Sequence, residues 1–168
     1  MTIIQNTLLL DQSIINSLFD YNEGKLFWKK TVNSRAQKGQ QAGSDNGNGY
    51  CRIRINKKMH YAHRLIFILH YGYCPKCIDH VNGDTTDNRI ENLREATQTE
   101  NNYNMKKPKH NTTGAKCVYW FKPKNKWKVQ IGINKKSKHI GYFDDFELAE
   151  LVANEVREKY HGEFARAA

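Results

Sequence analysis

A chain of 168 residues with 39% hydrophobic and 26% charged side chains has room for one ordinary domain, or two or three small ones with modest cores. Its longest apolar run, Leu65 to Leu69, is far too short to span a bilayer, and the first residues lack the basic segment, apolar stretch and small-residue cleavage site of a secretory signal, so an intracellular protein with no membrane partner is expected. Lys and Arg number 27 against 17 Asp and Glu, a net charge of +10 that favours a polyanionic partner through counterion release, although ribosomal and membrane-surface proteins share such a balance.

The excess is uneven. Residues 1–60 carry 9 basic and 4 acidic groups, residues 61–110 carry 7 and 6, and residues 111–168 carry 11 and 7. Basic flanks around a near-neutral centre suit an enzyme held on a polyanion by its two ends.

Asp11 is placed to cap a short helix with Ile14, Ile15, Leu18 and Phe19 on one side. Asn22-Glu23-Gly24 then turns the chain into a strand at Leu26-Phe27-Trp28, and residues 33–49, rich in Gly, Gln, Ser and Asn, read as a loop or irregular hairpin. Tyr50 to Ile55 alternates, with Cys51, Ile53 and Ile55 on one face and Arg52 and Arg54 on the other. Asn56-Lys57-Lys58 turns it back through Met59 to Tyr61. Arg52, Arg54, Lys57 and Lys58 make this ribbon a candidate for DNA phosphate contact, since two strands can enter a groove. Ala62 to Tyr71 reads as a helix ended by Gly72, burying Leu65, Ile68 and Leu69.

The cysteines are Cys51, Cys74, Cys77 and Cys117, and a disulfide framework is not expected in an intracellular chain. Cys74-Pro75-Lys76-Cys77 has zinc-knuckle spacing but no second knuckle follows, so structural zinc is disfavoured. A zinc-stabilised interaction module remains the reading in which the fold gathers all four.

Residues 78–84, Ile-Asp-His-Val-Asn-Gly-Asp, place an acid and an imidazole side by side before a glycine-containing turn, with Asn92 and Asn101 lying 12 and 21 positions after His80. Asp79 is a hard oxygen ligand, His80 a base that titrates near neutrality, and Asn a neutral oxygen ligand or a clamp on backbone. These are the parts needed to cut a phosphodiester with one metal ion. Neighbours on a strand point to opposite faces, so a twist or bulge is needed for Asp79 and His80 to reach one phosphate. Thr97, with Glu100 three residues on, caps a helix that carries Asn101. Taken singly, an Asp-His pair is an ordinary surface pair and the asparagines are ordinary caps; spacing joins them. Arg89 and Arg94 serve either as phosphate clamps or in ion pairs with Asp87 or Glu91, and His63 reads as a structural residue at a helix start.

His63-Arg64-Leu65, the 78–84 run, Asp87-Asn88-Arg89-Ile90-Glu91-Asn92-Leu93-Arg94 and Glu100-Asn101 resemble the HNH homing endonucleases of phages and introns. The resemblance implies a ββα-metal module in which His80 is the general base, Asp79 and Asn101 bind the metal, and Asn92 braces the loop. Some relatives carry a further helix His where this chain has Met105, so the implied cofactor is one divalent ion of the magnesium type, with manganese as substitute.

Residues 106–111 read as a basic linker, Lys-Lys-Pro-Lys-His-Asn. Beyond it Trp127, Val129, Ile131 and Ile133 alternate with polar residues, Asn134-Lys135-Lys136 turns into a strand over 138–143, and Asp144 or Asp145 caps a helix to about Tyr160 whose stripe is Ala149, Val152, Ala153, Val156 and Tyr160. Cys117-Val118-Tyr119, residues 126–131 and His139 to Phe143 resemble the ethylene-response-factor (APETALA-type) DNA-binding domain. That resemblance implies a three-stranded sheet on one helix, with Tyr119, Phe121, Lys128, Gln130 and His139 facing the major groove. Plant members use several Arg there and this chain does not, leaving phosphate contact by Lys122, Lys124, Lys126 and Lys128; a solvated strand edge is the plainer use of these lysines.

The expected architecture is α+β: an N-terminal helix and β-hairpin region (1–60), an HNH module (61–105), the linker (106–111) and a sheet-and-helix DNA-binding domain (112–168). The expected function is metal-dependent cleavage of double-stranded DNA by a monomer, giving 5′-phosphate and 3′-hydroxyl ends. The rival is a DNA-binding regulator with an inert nuclease module.

Overall fold

In the computed structural model the described residues are 10–45, 47–107 and 111–166. Residues 1–9 of the expected N-terminal region and 108–110 of the expected linker lie outside them. The architecture is α+β, with small sheets in two compact units, Met1–Glu95 and Ala96–Ala168. The division falls inside the 61–105 segment that the sequence groups as one module.

In the first unit Asp11 caps α1 (Gln12–Leu18), its carboxylate accepting from the Ile14 N–H at 2.8 Å. Phe19, placed by periodicity on that helix, instead begins β1 (Phe19–Asn22), because its backbone is extended and pairs opposite Trp28 of β2 (Lys25–Trp28), with the two rings 4.6 Å apart. The N-terminal strand is thus a hairpin. Most of residues 33–49 is loop, but β3 (Ser44–Asp45) pairs with β4 (Cys51–Ile55) on the edge away from β5 (Lys58–Tyr61), so the basic ribbon gains a short third strand. The β4–β5 turn holds Asn56 and Lys57 at φ 48° and 65°, the left-handed pair that a two-residue hairpin turn requires. α2 (Ala62–Tyr71) ends on Gly72 at φ 79°. Leu65 and Ile68 are buried as the periodicity predicts, together with Ile66 and Phe67, while Leu69 is only half-buried. These residues form one core with Ile15, Phe19, Leu26, Trp28 and Ile53. β6 (Cys77–His80) pairs with β7 (Leu93–Ala96), and a 3-10 turn over Ile90–Asn92 leads into β7.

In the second unit Thr97 and Glu100 form the predicted capping box on α3 (Gln98–Asn104). β8 (Val118–Phe121), β9 (Lys126–Ile133) and β10 (Lys136–Phe143) make an antiparallel sheet in the order β10-β9-β8. α4 (Phe146–His161) starts from an Asp145 cap and packs Ala149 and Ala153, both fully buried, against Val118 and Val129. Small side chains here bring helix and sheet close. Tyr160 departs from the predicted stripe: it is exposed, its hydroxyl takes a hydrogen bond from Lys138 Nζ and its ring lies under that ammonium. Arg157, among α4's charged residues, is buried and donates to Asn154 Oδ1 and the Arg166 carbonyl.

Candidate active site

Strand β6 runs Ile78, Asp79, His80 with all three buried, at 8%, 3% and 5% exposure. With all three consecutive side chains buried, protein covers the strand on both sides, and Tyr50 lies near both Asp79 and His80. Asp79 Oδ2 accepts from Arg94 Nε at 2.9 Å and lies 2.8 Å from Arg94 Nη2, a cross-strand fork from β7. Of the two arginines left open by sequence, Arg94 therefore pairs with Asp79, while Arg89 pairs with Asp87 at 2.8 Å and lies 3.9 Å from Glu91. That guanidinium holds the Asp87 carboxyl down at about 2.

His80 Nε2 lies 3.0 Å from the Oδ1 of Asn88, itself 4% exposed. A carbonyl oxygen can only accept, so Nε2 donates to it, and whenever the ring carries a single proton the lone pair is on Nδ1. His63 packs edge-on against His80 with centroids 5.3 Å apart, and Tyr50 reaches it at 6.2 Å. Burial, reinforced by His80 and Arg64, pushes His63 down to about 3, so it adds no positive charge beside His80 near neutral pH. His63 is also the second residue of α2, the helix-start position read from sequence. In the sequence Asn88 figures only within the 87–94 run, with no role of its own, and nothing there signals the His63–His80 contact.

Asn92 ties the loop after β6. Its Oδ1 accepts from the Asn82 N–H at 2.9 Å, and its Nδ2 donates to Asn82 Oδ1 at 3.0 Å and to the Asp87 carbonyl at 2.7 Å. The β1–β2 hairpin supports the same loop from outside. The Tyr21 hydroxyl accepts from the Ile90 N–H at 3.1 Å, and Gly24, at φ 80°, comes so close that a Cβ there would sit 2.6 Å from Arg89 N and 2.8 Å from the Asn88 carbonyl carbon. Glycine is needed for both the angle and the approach.

Asn101 sits half-buried on α3, in the second unit, with its N–H donating to the Thr97 carbonyl at 3.0 Å. Among the described residues no three His, Cys, Asp or Glu side chains cluster as a metal site. A carboxylate and an amide oxygen are hard, sparse donors of the kind that suits a magnesium-type ion, which keeps water and phosphate oxygens in its shell.

Of the remaining residues marked for DNA, Arg54, Lys57 and Lys58 are exposed on the ribbon and Arg52 is half-buried. In the second unit Tyr119 stands opposite Lys128 and Lys128 opposite Tyr142, with Gln130 opposite His139. A bulge between His139 and Gly141 lets His139 and Tyr142 share this face, their rings 4.6 Å apart. Phe121 adjoins Tyr142 at 5.3 Å and Lys124 Nζ lies 4.1 Å over the Tyr142 ring. Lys122 is exposed, whereas Lys126 pairs with Asp144 at 2.9 Å. Tyr142 was missed as a member of this face because the bulge resets the alternation; Gly141 within a strand was the available signal.

The HNH endonuclease family model matches residues 60–103. The chain is 37% identical over 91 residues to Protein 3.8 of Escherichia phage T7, a match that covers 53% of this chain and 73% of that protein. No solved structure matches. Among the described residues no helix is long and apolar enough to cross a membrane.

Proposed function

We propose that this chain, which belongs to the family of phage Protein 3.8 and carries an HNH endonuclease domain, is a metal-dependent DNA endonuclease. The observation that carries the reading is the buried Asp79–His80 pair inside the matched segment, with Asn88 fixing the His80 tautomer and Arg94 holding Asp79. His80 Nδ1 takes the proton from the attacking water. Asp79, with Asn101 as the second ligand that the HNH resemblance implies, would hold one divalent ion, magnesium or manganese, which would supply positive charge to the phosphate and the departing 3′ oxygen. Asn92 keeps the loop, and with it the imidazole, in place. The products are 5′-phosphate and 3′-hydroxyl ends.

Duplex DNA is the substrate this reading requires. The ribbon residues Arg52, Arg54, Lys57 and Lys58 hold one stretch of backbone, and Arg89, exposed beside its Asp87 partner, reaches phosphate near the cut, whereas Arg94 stays on Asp79. An APETALA-type domain over 112–168 supplies a second contact through Tyr119, Lys122, Lys126, Lys128, Gln130 and His139. Support comes from its three strands on one helix and its aromatic and basic outer face. Monomeric action and a homing-type role inside a bacterial host are part of the same proposal, for which the phage relative supports a phage origin.

Incubation with long duplex DNA tests it. Scission in magnesium that stops with chelator and leaves ligatable 5′-phosphate ends is expected. Retained binding without scission would favour the regulator with an inert module.

A further inference from the structure

The first unit contains an open cleft of about 1050 Å³ that the chemistry above does not use. Tyr50, Tyr61 and His63 form its aromatic wall, with Leu65 and Ile68 on its apolar side. Tyr61 stacks on His63 with centroids 5.5 Å and planes 25° apart, yet remains 39% exposed. Lys58 and Lys76, both exposed, supply positive charge at the rim.

Two features connect this cleft to the proposed DNA path. Its wall touches the candidate base directly, since His63 packs on His80 at 5.3 Å. It also continues the basic face of the ribbon: in the β4–β5 register Arg52 lies opposite Tyr61 and Arg54 opposite Met59, and directly opposed residues share a face. Tyr61 and Met59 both line the cleft, and Met59 is 52% exposed.

An aromatic wall, an apolar side and a basic rim are complementary to one kind of DNA group, a base out of its stack with its phosphates attached. The volume is ample for a nucleotide. We infer that the cleft holds an unstacked nucleobase of the bound DNA, stacked on Tyr61, with its neighbouring phosphates on Lys58 and Lys76. The inference rests on the proposed function only in taking DNA as the substrate.

The chain has three methionines, Met1, Met59 and Met105, and Met59 lines this cleft, so its labelled methyl, assigned with Met59→Leu, is a reporter there. The full-length protein, in chelator so that nothing is cut, is titrated with a thymidine hexamer and with a hexamer of abasic residues carrying the same phosphates. The thymidine strand should shift the Met59 methyl and bind about ten-fold tighter than the abasic strand. Tyr61→Ala should remove that preference and Tyr61→Phe should keep it. Equal affinities, or a Met59 signal that stays still while thymidine binds, would overturn the inference. If Tyr61→Ala does not fold, the two strands on the wild-type protein still decide. Cleavage is scored separately: a base-dependent shift in a protein that never cuts DNA would sink the nuclease reading and leave this one standing, and cutting without the shift would do the reverse.

Discussion

His80 Nε2 and Asn88 Oδ1 are 3.0 Å apart in a buried pair, and under the proposed function this contact leaves Nδ1 as the nitrogen that takes the proton. Asn88→Ala removes the acceptor and lets the ring take the other tautomer. Single-turnover cleavage should slow about ten- to hundred-fold while DNA affinity stays unchanged, because the side chain is buried and contacts the ring. An unchanged rate would show that Asn88 does not set the tautomer.

Gly24 supports that asparagine from 64 residues away in sequence. Gly24→Ala brings a methyl to 2.6 Å from Arg89 N at a left-handed φ, whereas Gly39→Ala has nearly the same φ, 81°, with nothing within 4 Å. The second variant measures backbone strain alone, about 1 kcal/mol. Gly24→Ala should lose more stability than Gly39→Ala by denaturant melting and should also slow cleavage, since the displaced loop carries Asn88. Matching losses with matching rates would remove the hairpin from the site's support.

Arg94 neutralises Asp79, so the proposed metal ligand carries a positive partner before any cation arrives. Arg94→Gln leaves a buried carboxylate without that charge and should destabilise the DNA-free protein by about 3 kcal/mol. Magnesium should then raise the melting temperature more in the variant than in the wild type, because a cation bound to the folded state replaces the lost guanidinium. Equal magnesium shifts in both proteins would argue against Asp79 as the ligand.

His63 makes stability depend on pH. Its folded value of about 3 lies below the ordinary 6.5, so between these limits the unfolded chain binds a proton that the folded chain refuses. Stability should fall as pH drops from 6.5 towards 3, by at most about 1.4 kcal/mol per pH unit from this residue. Melts between pH 6.5 and 4.5, a window above the range where Asp87 titrates, should give a flatter profile for His63→Phe than for the wild type. Parallel profiles would contradict the assignment.

Local rules account for what could be read in advance. The Thr97–Glu100 cap, the turn after Ile55 and the alternation in β4 and β9 depend on neighbours a few residues apart, and each appears in the fold. Asp79, His80 and Asn92 were singled out by chemical type and spacing. The partners that orient them were not, because Arg94 reaches Asp79 across two paired strands, His63 reaches His80 from a helix, and Gly24 meets Arg89 from a separate hairpin. Such contacts are set by tertiary packing and leave no periodic trace. Phe19 shows the same limit within one element: its apolar character suits α1 equally well, and pairing with Trp28 makes it a strand.

The most direct measurement is single-turnover cleavage of duplex DNA in magnesium by His80→Ala beside the wild type, with folding checked by melting and DNA affinity measured in chelator. The variant should bind DNA as the wild type does and cut it at least about a hundred-fold more slowly. Cutting by the variant at the wild-type rate would contradict the assignment of His80 as the base that activates water.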